Sequence, residues 1–300
     1  MTHAKVVRRS GEAAKVDRFQ LRAGRDFRGR MRNRSFLLVT SLLLAFVAGR
    51  HAPATAWSTT PQAVATAHSA RIWEGRNAEF EAFIRDAPID HFDDVAIGVT
   101  HPKRAYFKPG GLVQSVAWKV LPPGRPSGYW ESYKSEIAAY ELDKLLGMVM
   151  VPVAVEKKWN HDTAAAILWL SPIHSWKEME PKPKPAKWVR QVSRMKMFDN
   201  FICNKDRNAG NLLVDDDWNL FLIDHSRAFI TDKDMAVKMQ SIDRELWDRI
   251  QALDEAQLTE ALGKWVDRGG IKSMLTRRER MKVEIDKLVA ANGEGNVFIK

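Results

Sequence analysis

Asn204–Asp224 reads NKDRNAGNLLVDDDWNLFLID, and the fold of the chain turns on this stretch. Two short apolar runs, Leu212–Val214 and Leu220–Ile223, enclose Asp215–Asp217, Trp218 and Asn219. Asp and Asn favour turns, so the pattern predicts a small hairpin behind a polar loop. A tight hairpin returns its two ends to one place. Asn211 at its entry and Asp224 just past its exit are therefore expected side by side, with Asp206 in the loop upstream. An amide oxygen beside a carboxylate, with coordination positions left over, suits Mg²⁺ or Mn²⁺, a hard ion that also takes phosphate oxygens. Asp206 is then placed to orient an attacking hydroxyl.

Upstream of the loop, Trp188–Ile202 carries Val192, Met195, Phe198, Phe201 and Ile202 on one helical face. Cys203 is the only cysteine and sits in apolar FDNFICN, which predicts a buried structural thiol and excludes an intramolecular disulfide. PKPKPAKW at 181–188 reads as a connector. Further back, the strands expected at Arg104–Lys108 and Leu112–Leu121 are joined by Pro109-Gly110-Gly111. In the second strand Lys119 shares a face with Val113, Ser115 and Ala117. A helix over Glu131–Leu146 follows, stopped by Gly147 and carrying Glu136 in its first turns. Val149–Lys157 and Ala164–Leu170 read as strands, the first bent at Val-Pro-Val. Ala70–Asp86 reads as a helix, and beyond Asp232 the pattern is helical over Met235–Ile250, Glu255–Asp267 and Ile271–Ala291.

The order D-R-N-x-x-N, hairpin, L-I-D resembles the atypical kinase lineage of phosphatidylinositol 3-/4-kinases, HipA-type kinases and the secreted Golgi casein-kinase type. The resemblance covers about Val95–Phe229. It implies an α+β, two-lobed protein-kinase-like fold: an N-terminal antiparallel sheet with one helix at 95–180, then a mostly helical lobe with a small catalytic hairpin at 181–300. It further implies ATP and Mg²⁺ or Mn²⁺ as cofactors. Asp206 becomes the catalytic carboxylate, Asn211 a metal and cofactor ligand, and Asp224 the second metal ligand. Lys119 matches the catalytic, nucleotide-phosphate lysine, with Lys108 as its competitor, and Glu136 the helix glutamate that positions it. Trp169, within Leu168–Leu170, falls where such kinases seat adenine.

Three departures stand out. Asn208 replaces the usual histidine of the loop, Asp224-His225-Ser226 replaces D-F-G, and Pro109-Gly110-Gly111 is the available substitute for a Gly-rich phosphate loop. Arg207 is expected to brace the loop through a carboxylate, His225 to pack behind the site, and Asp215–Asp217 to form a solvated turn.

The net charge of +10 is confined to a tail. Residues 1–56 hold 12 Lys/Arg against 3 Asp/Glu, leaving 35 against 34 in the rest. A near-neutral body is not a polyanion-binding domain, so no nucleic acid partner is expected. Phe36–Ala48 (FLLVTSLLLAFVA) follows Arg32 and Arg34 and precedes Ala54-Thr55-Ala56. This 13-residue run falls short of the roughly 20 that span a bilayer and fits a signal-peptide core. The tail is thus expected to contact membrane or export machinery and to place the body outside the cytoplasm, with 57–94 as an approach segment.

The function expected is an ATP- and metal-dependent phosphotransferase acting on a hydroxyl of a protein, lipid or sugar. The alternative from another class is a pseudokinase, a nucleotide-binding scaffold without turnover, which Asn208 and export favour. A metal-dependent hydrolase on Asp206, Asp224 and His225 is poorer, because no His pair or nucleophile is spaced for it.

Overall fold

The computed structural model describes residues 69–95 and 103–299; the basic tail with its apolar run lies outside the described residues. The sheet-bearing half is built on five antiparallel strands, β1 (Ile89–Asp94), β2 (Lys103–Phe107), β3 (Ser115–Lys119), β4 (Ala154–Trp159) and β5 (Asp162–Leu168). Their order is β1-β2-β3-β5-β4. Two helices cover the sheet, α1 (Asn77–Asp86) and α2 (Tyr133–Leu146). Successive residues of a strand face opposite ways. Glu156 of β4 accepts a hydrogen bond from Tyr133 of α2, while its neighbour Lys157 donates to Arg85 O and Ala87 O at the end of α1. The helices therefore lie on opposite faces. Ala164, Ala165 and Ala166 in β5 are fully buried between them, small enough to let both approach.

The register Lys119↔Ala165↔Glu156 puts Lys119 on the α2 face. Ser132 caps α2 by accepting from Lys134 N, and Gly147 closes it in the left-handed conformation that a Cβ disfavours.

The helical half begins with β6 (His174–Ser175), the one-turn α3 (Trp176–Met179) and α4 (Lys187–Ile202). The predicted hairpin follows as β7 (Leu212–Val214) and β8 (Leu220–Leu222), completing a three-stranded sheet in the order β6-β7-β8. A two-stranded parallel pair, β9 (Ile242–Asp243) with β10 (Phe298–Ile299), ties in the C-terminal segment. Helices α5 (Arg244–Ala252), α6 (Glu255–Leu262), α7 (Arg268–Asn292) and α8 (Glu294–Val297) complete it. No helix among the described residues is long and apolar enough to cross a membrane.

The structure corrects the sequence reading in four places. The sheet begins at Ile89 rather than near Val95. The helix expected from Ala70 starts at Asn77, because Ser69–Trp73 is a strap across the hairpin. Ala70 N donates to Asp215 Oδ2 at 2.9 Å, and Trp73 is buried against Phe221. Asp215 is therefore buried, holding Asn219 N and Nδ2 as well, while Asp216 and Asp217 face solvent. Residues 235–241 are irregular rather than helical, since Asn200 takes both N–H and C=O of Val237. The helix starts only where Asp243 caps it by accepting from Leu246 N.

Candidate active site

The loop-and-hairpin geometry is as expected and is held from behind by one arginine. Ile223 N donates to Asn211 O at 3.2 Å, so the hairpin ends meet and Asn211 lies beside Asp224. Arg207 donates to Asn211 O at 3.1 Å and Ile223 O at 2.7 Å, pinning both ends. Its other N–H groups reach Asp199 Oδ2 at 3.0 Å, Asp199 Oδ1 at 2.9 Å and His225 Nε2 at 2.9 Å. Asp199 lies in the last turn of α4 and is buried; Asn204 Nδ2 also donates to it. The expected carboxylate brace for Arg207 is thus Asp199.

Asp206 sits at the front of this loop, its side chain 43% exposed. Its carbonyl accepts from Asn208 Nδ2 at 3.0 Å and Asn211 Nδ2 at 3.2 Å. Using the amide nitrogen of Asn211 in this way leaves its oxygen as the atom available to a metal. Asn208 Oδ1 also accepts from Gly210 N at 2.8 Å, so this departure from the histidine pattern caps the short helical turn Ala209–Asn211.

Lys119 is buried and donates to two carboxylates at once, Glu136 Oε1 and Asp224 Oδ1, each at 2.6 Å. Burial alone would lower its pKa, but the charges of Glu136 and Asp224 overcome this and raise it above the lysine range. Burial likewise works to raise Glu136, yet Lys119 and His225 hold it well below the carboxylate range. Glu136 Oε2 accepts from His225 N at 2.9 Å. Burial lowers the pKa of His225, favouring the neutral ring that accepts from Arg207, as expected of a residue packed behind the site. Asp224 adopts a left-handed backbone, φ 60°, at the point where the chain leaves the hairpin. Its Oδ1 also accepts from Ser226 Oγ at 3.1 Å, while its Oδ2 has no protein partner among the described residues. Two oxygen donors, from Asn211 and Asp224, thus fit a hard divalent ion. No cluster of three His, Cys, Asp or Glu forms a separate metal centre among the described residues.

Lys108 lies exposed at the far end of β2 and is not brought to the site. Pro109-Gly110-Gly111 is likewise remote: it precedes β3, whereas Lys119 ends that strand. Asp94 of β1 and Lys103 of β2 pair at the Lys119 end of the sheet, where Lys103 also pairs with Trp118. Trp169 directly follows β5, its ring 4.4 Å from the Arg104 guanidinium, which also covers Tyr106 at 4.7 Å. Arg104 shares a face of the sheet with Ala117 and Lys119, a placement no local pattern announces. The sequence reading also missed Arg227 and Glu131. Arg227 Nη1 donates to Asp206 Oδ2 at 3.2 Å, and its Nε and Nη2 donate to Glu131 Oε1.

No protein-family profile matches the chain, and no curated protein matches it in sequence. Solved structures are similar to it in fold. The Golgi casein kinase with Mn/ADP bound aligns at a TM-score of 0.60 and 14% identity, over 75% of this chain and 79% of that one. Hydra Fam20 with sugar aligns at 0.57 and 14% identity, over 74% and 91%. These neighbours lie in the atypical kinase lineage that the loop and hairpin resemble. The shared feature is the fold, a mixed α/β architecture with an antiparallel sheet and several helices.

Proposed function

We propose that the chain is an ATP-dependent phosphotransferase of two-lobed, atypical kinase type, acting on a hydroxyl of a protein, lipid or sugar. The observation that carries this reading is Lys119 held by Glu136 and Asp224 together, directly beside the Asp206–Asn211 loop. A cation fixed by a helix glutamate beside a partly exposed carboxylate suits nucleotide phosphates, and phosphoryl transfer asks mainly for positioning and charge. Asn211 and Asp224 would hold Mg²⁺ or Mn²⁺, which when bound neutralises phosphate charge. Asp206 takes the proton of the acceptor hydroxyl. The acceptor oxygen bonds to the terminal phosphorus as the bond to the bridging oxygen breaks, and the nucleoside diphosphate departs with that electron pair.

The test is phosphate transfer by the purified chain with radiolabelled ATP and Mg²⁺ or Mn²⁺. Asp206→Ala and Asp224→Ala are each expected to abolish transfer; full activity in both variants would overturn the assignment. The second reading, a nucleotide-binding scaffold, draws on Asn208, which braces the loop where the lineage has histidine. Nucleotide-dependent thermal stabilisation without transfer would support it. The apolar run at 36–48 is proposed as an export signal or anchor, tested by fractionating a tagged chain; a wholly cytosolic, unprocessed product contradicts this.

A further inference from the structure

Arg227, three residues beyond Asp224, is held by several contacts and still has donors to spare. Its neighbours are pinned to the start of α2: Ser226 O accepts from Ser132 N at 2.9 Å and Ala228 O from Ser135 Oγ at 3.3 Å. Nε and Nη2 donate to buried Glu131 Oε1 at 2.9 and 2.8 Å. The Tyr129 ring covers the guanidinium at 4.9 Å. Nη1 reaches Asp206 Oδ2 at 3.2 Å. A guanidinium carries five N–H groups. Three are used here, and two have no protein partner among the described residues.

A cation is needed at this place. Asp206 and Asp224 are both partly exposed, and a terminal phosphoryl group arriving between them brings further negative charge. Lys119, two of whose three N–H groups bond Glu136 and Asp224, has a single N–H left for phosphate. The turn after Asp206 offers only Asn208, Ala209 and Gly210, and Arg207 faces the back of the hairpin with all five N–H groups bonded. We propose that Arg227 binds the terminal phosphoryl group of the nucleoside triphosphate, its Nη1 edge leaving Asp206 for the phosphate while Glu131 keeps the other edge fixed. The planar guanidinium matches phosphate oxygens in geometry and charge. Its departure frees Asp206 to accept the hydroxyl proton, so arrival of the triphosphate prepares the base. This role rests on the phosphotransferase reading.

The test separates the two claims by titrating the full chain calorimetrically with Mn²⁺-ADP and with the non-hydrolysable triphosphate Mn²⁺-AMP-PNP. In Arg227→Met the triphosphate analogue is expected to bind at least about tenfold more weakly, with ADP affinity kept within about twofold; Arg227→Lys should restore part of the loss. Arg227→Gln, which can still donate to Glu131, serves if the Met variant does not fold, with the same selective loss expected. Equal weakening of both ligands, or of neither, overturns the role of Arg227 and leaves the phosphotransferase reading intact. Failure of the wild-type chain to bind either nucleotide sinks that reading and this role with it.

Discussion

Two arginines flank the Asp206–Asn211 loop and divide its needs between them. Arg207 lies behind the hairpin, where five N–H groups meet five protein acceptors on Asp199, Asn211, Ile223 and His225. Arg227 lies at the front beside Asp206, with three donors bonded and two left over. The saturated cation fixes geometry. The unsaturated one has capacity for a ligand. The difference teaches that the number of donors left over, more than charge or burial, tells a bracing arginine from a binding one.

The comparison breaks most readily at Arg207. Arg207→Met leaves Asp199 buried without its cation and is expected to cost about 3–5 kcal/mol. Urea denaturation reads this directly, and a loss below about 1 kcal/mol would contradict a bracing role. Adding Asp199→Leu should recover a substantial part, because the uncompensated charge goes with it.

At the front of the loop the expected effect is on rate. Asp206→Asn should lower phosphate transfer at least about 100-fold while shifting the melting temperature little, as the carboxylate is half exposed. A large loss of stability with transfer intact would place Asp206 with Arg207 among the braces.

Glu136 offers a pH test. Its folded pKa is lowered from 4.5, since Lys119 and His225 outweigh the burial that would raise it. Its contribution to stability is therefore present above the unfolded value and lost as pH falls through the folded one. Urea denaturation across pH about 3–6 should show a shallower acid limb in Glu136→Gln than in the wild type. Identical slopes would argue against a coupled Lys119–Glu136 pair.

The smallest effect belongs to Asn208. Asn208→Ala removes a cap from Gly210 N and should cost about 1 kcal/mol, again by urea denaturation. No change would mean that the neighbouring bonds hold the loop unaided.

The placement of Asn211 beside Asp224 is legible in the sequence because hairpin geometry is local, and a hairpin brings its own ends together. Lys119 and Glu136 were legible through strand alternation and helix position, which set their faces before any tertiary contact. Other features lacked such a signal. β1 reads IDHFDD, mostly exposed at the sheet edge, so apolar alternation never marks it. Asp215 looked like solvated turn chemistry, and only the strap from Ser69 explains its burial. Arg227 meets Glu131 across 96 residues, a pairing that no spacing rule reaches. Pro109-Gly110-Gly111 had suitable chemistry at the wrong end of the sheet, because strand order, not composition, decides which loop faces Lys119.

The most direct measurement of the central claim is metal-dependent nucleotide binding at the Lys119–Glu136–Asp224 cluster. Calorimetric titration of Mn²⁺-ADP into wild type and Asp224→Ala should give saturable binding in the first and none in the second. Equal affinity in both proteins would contradict the account.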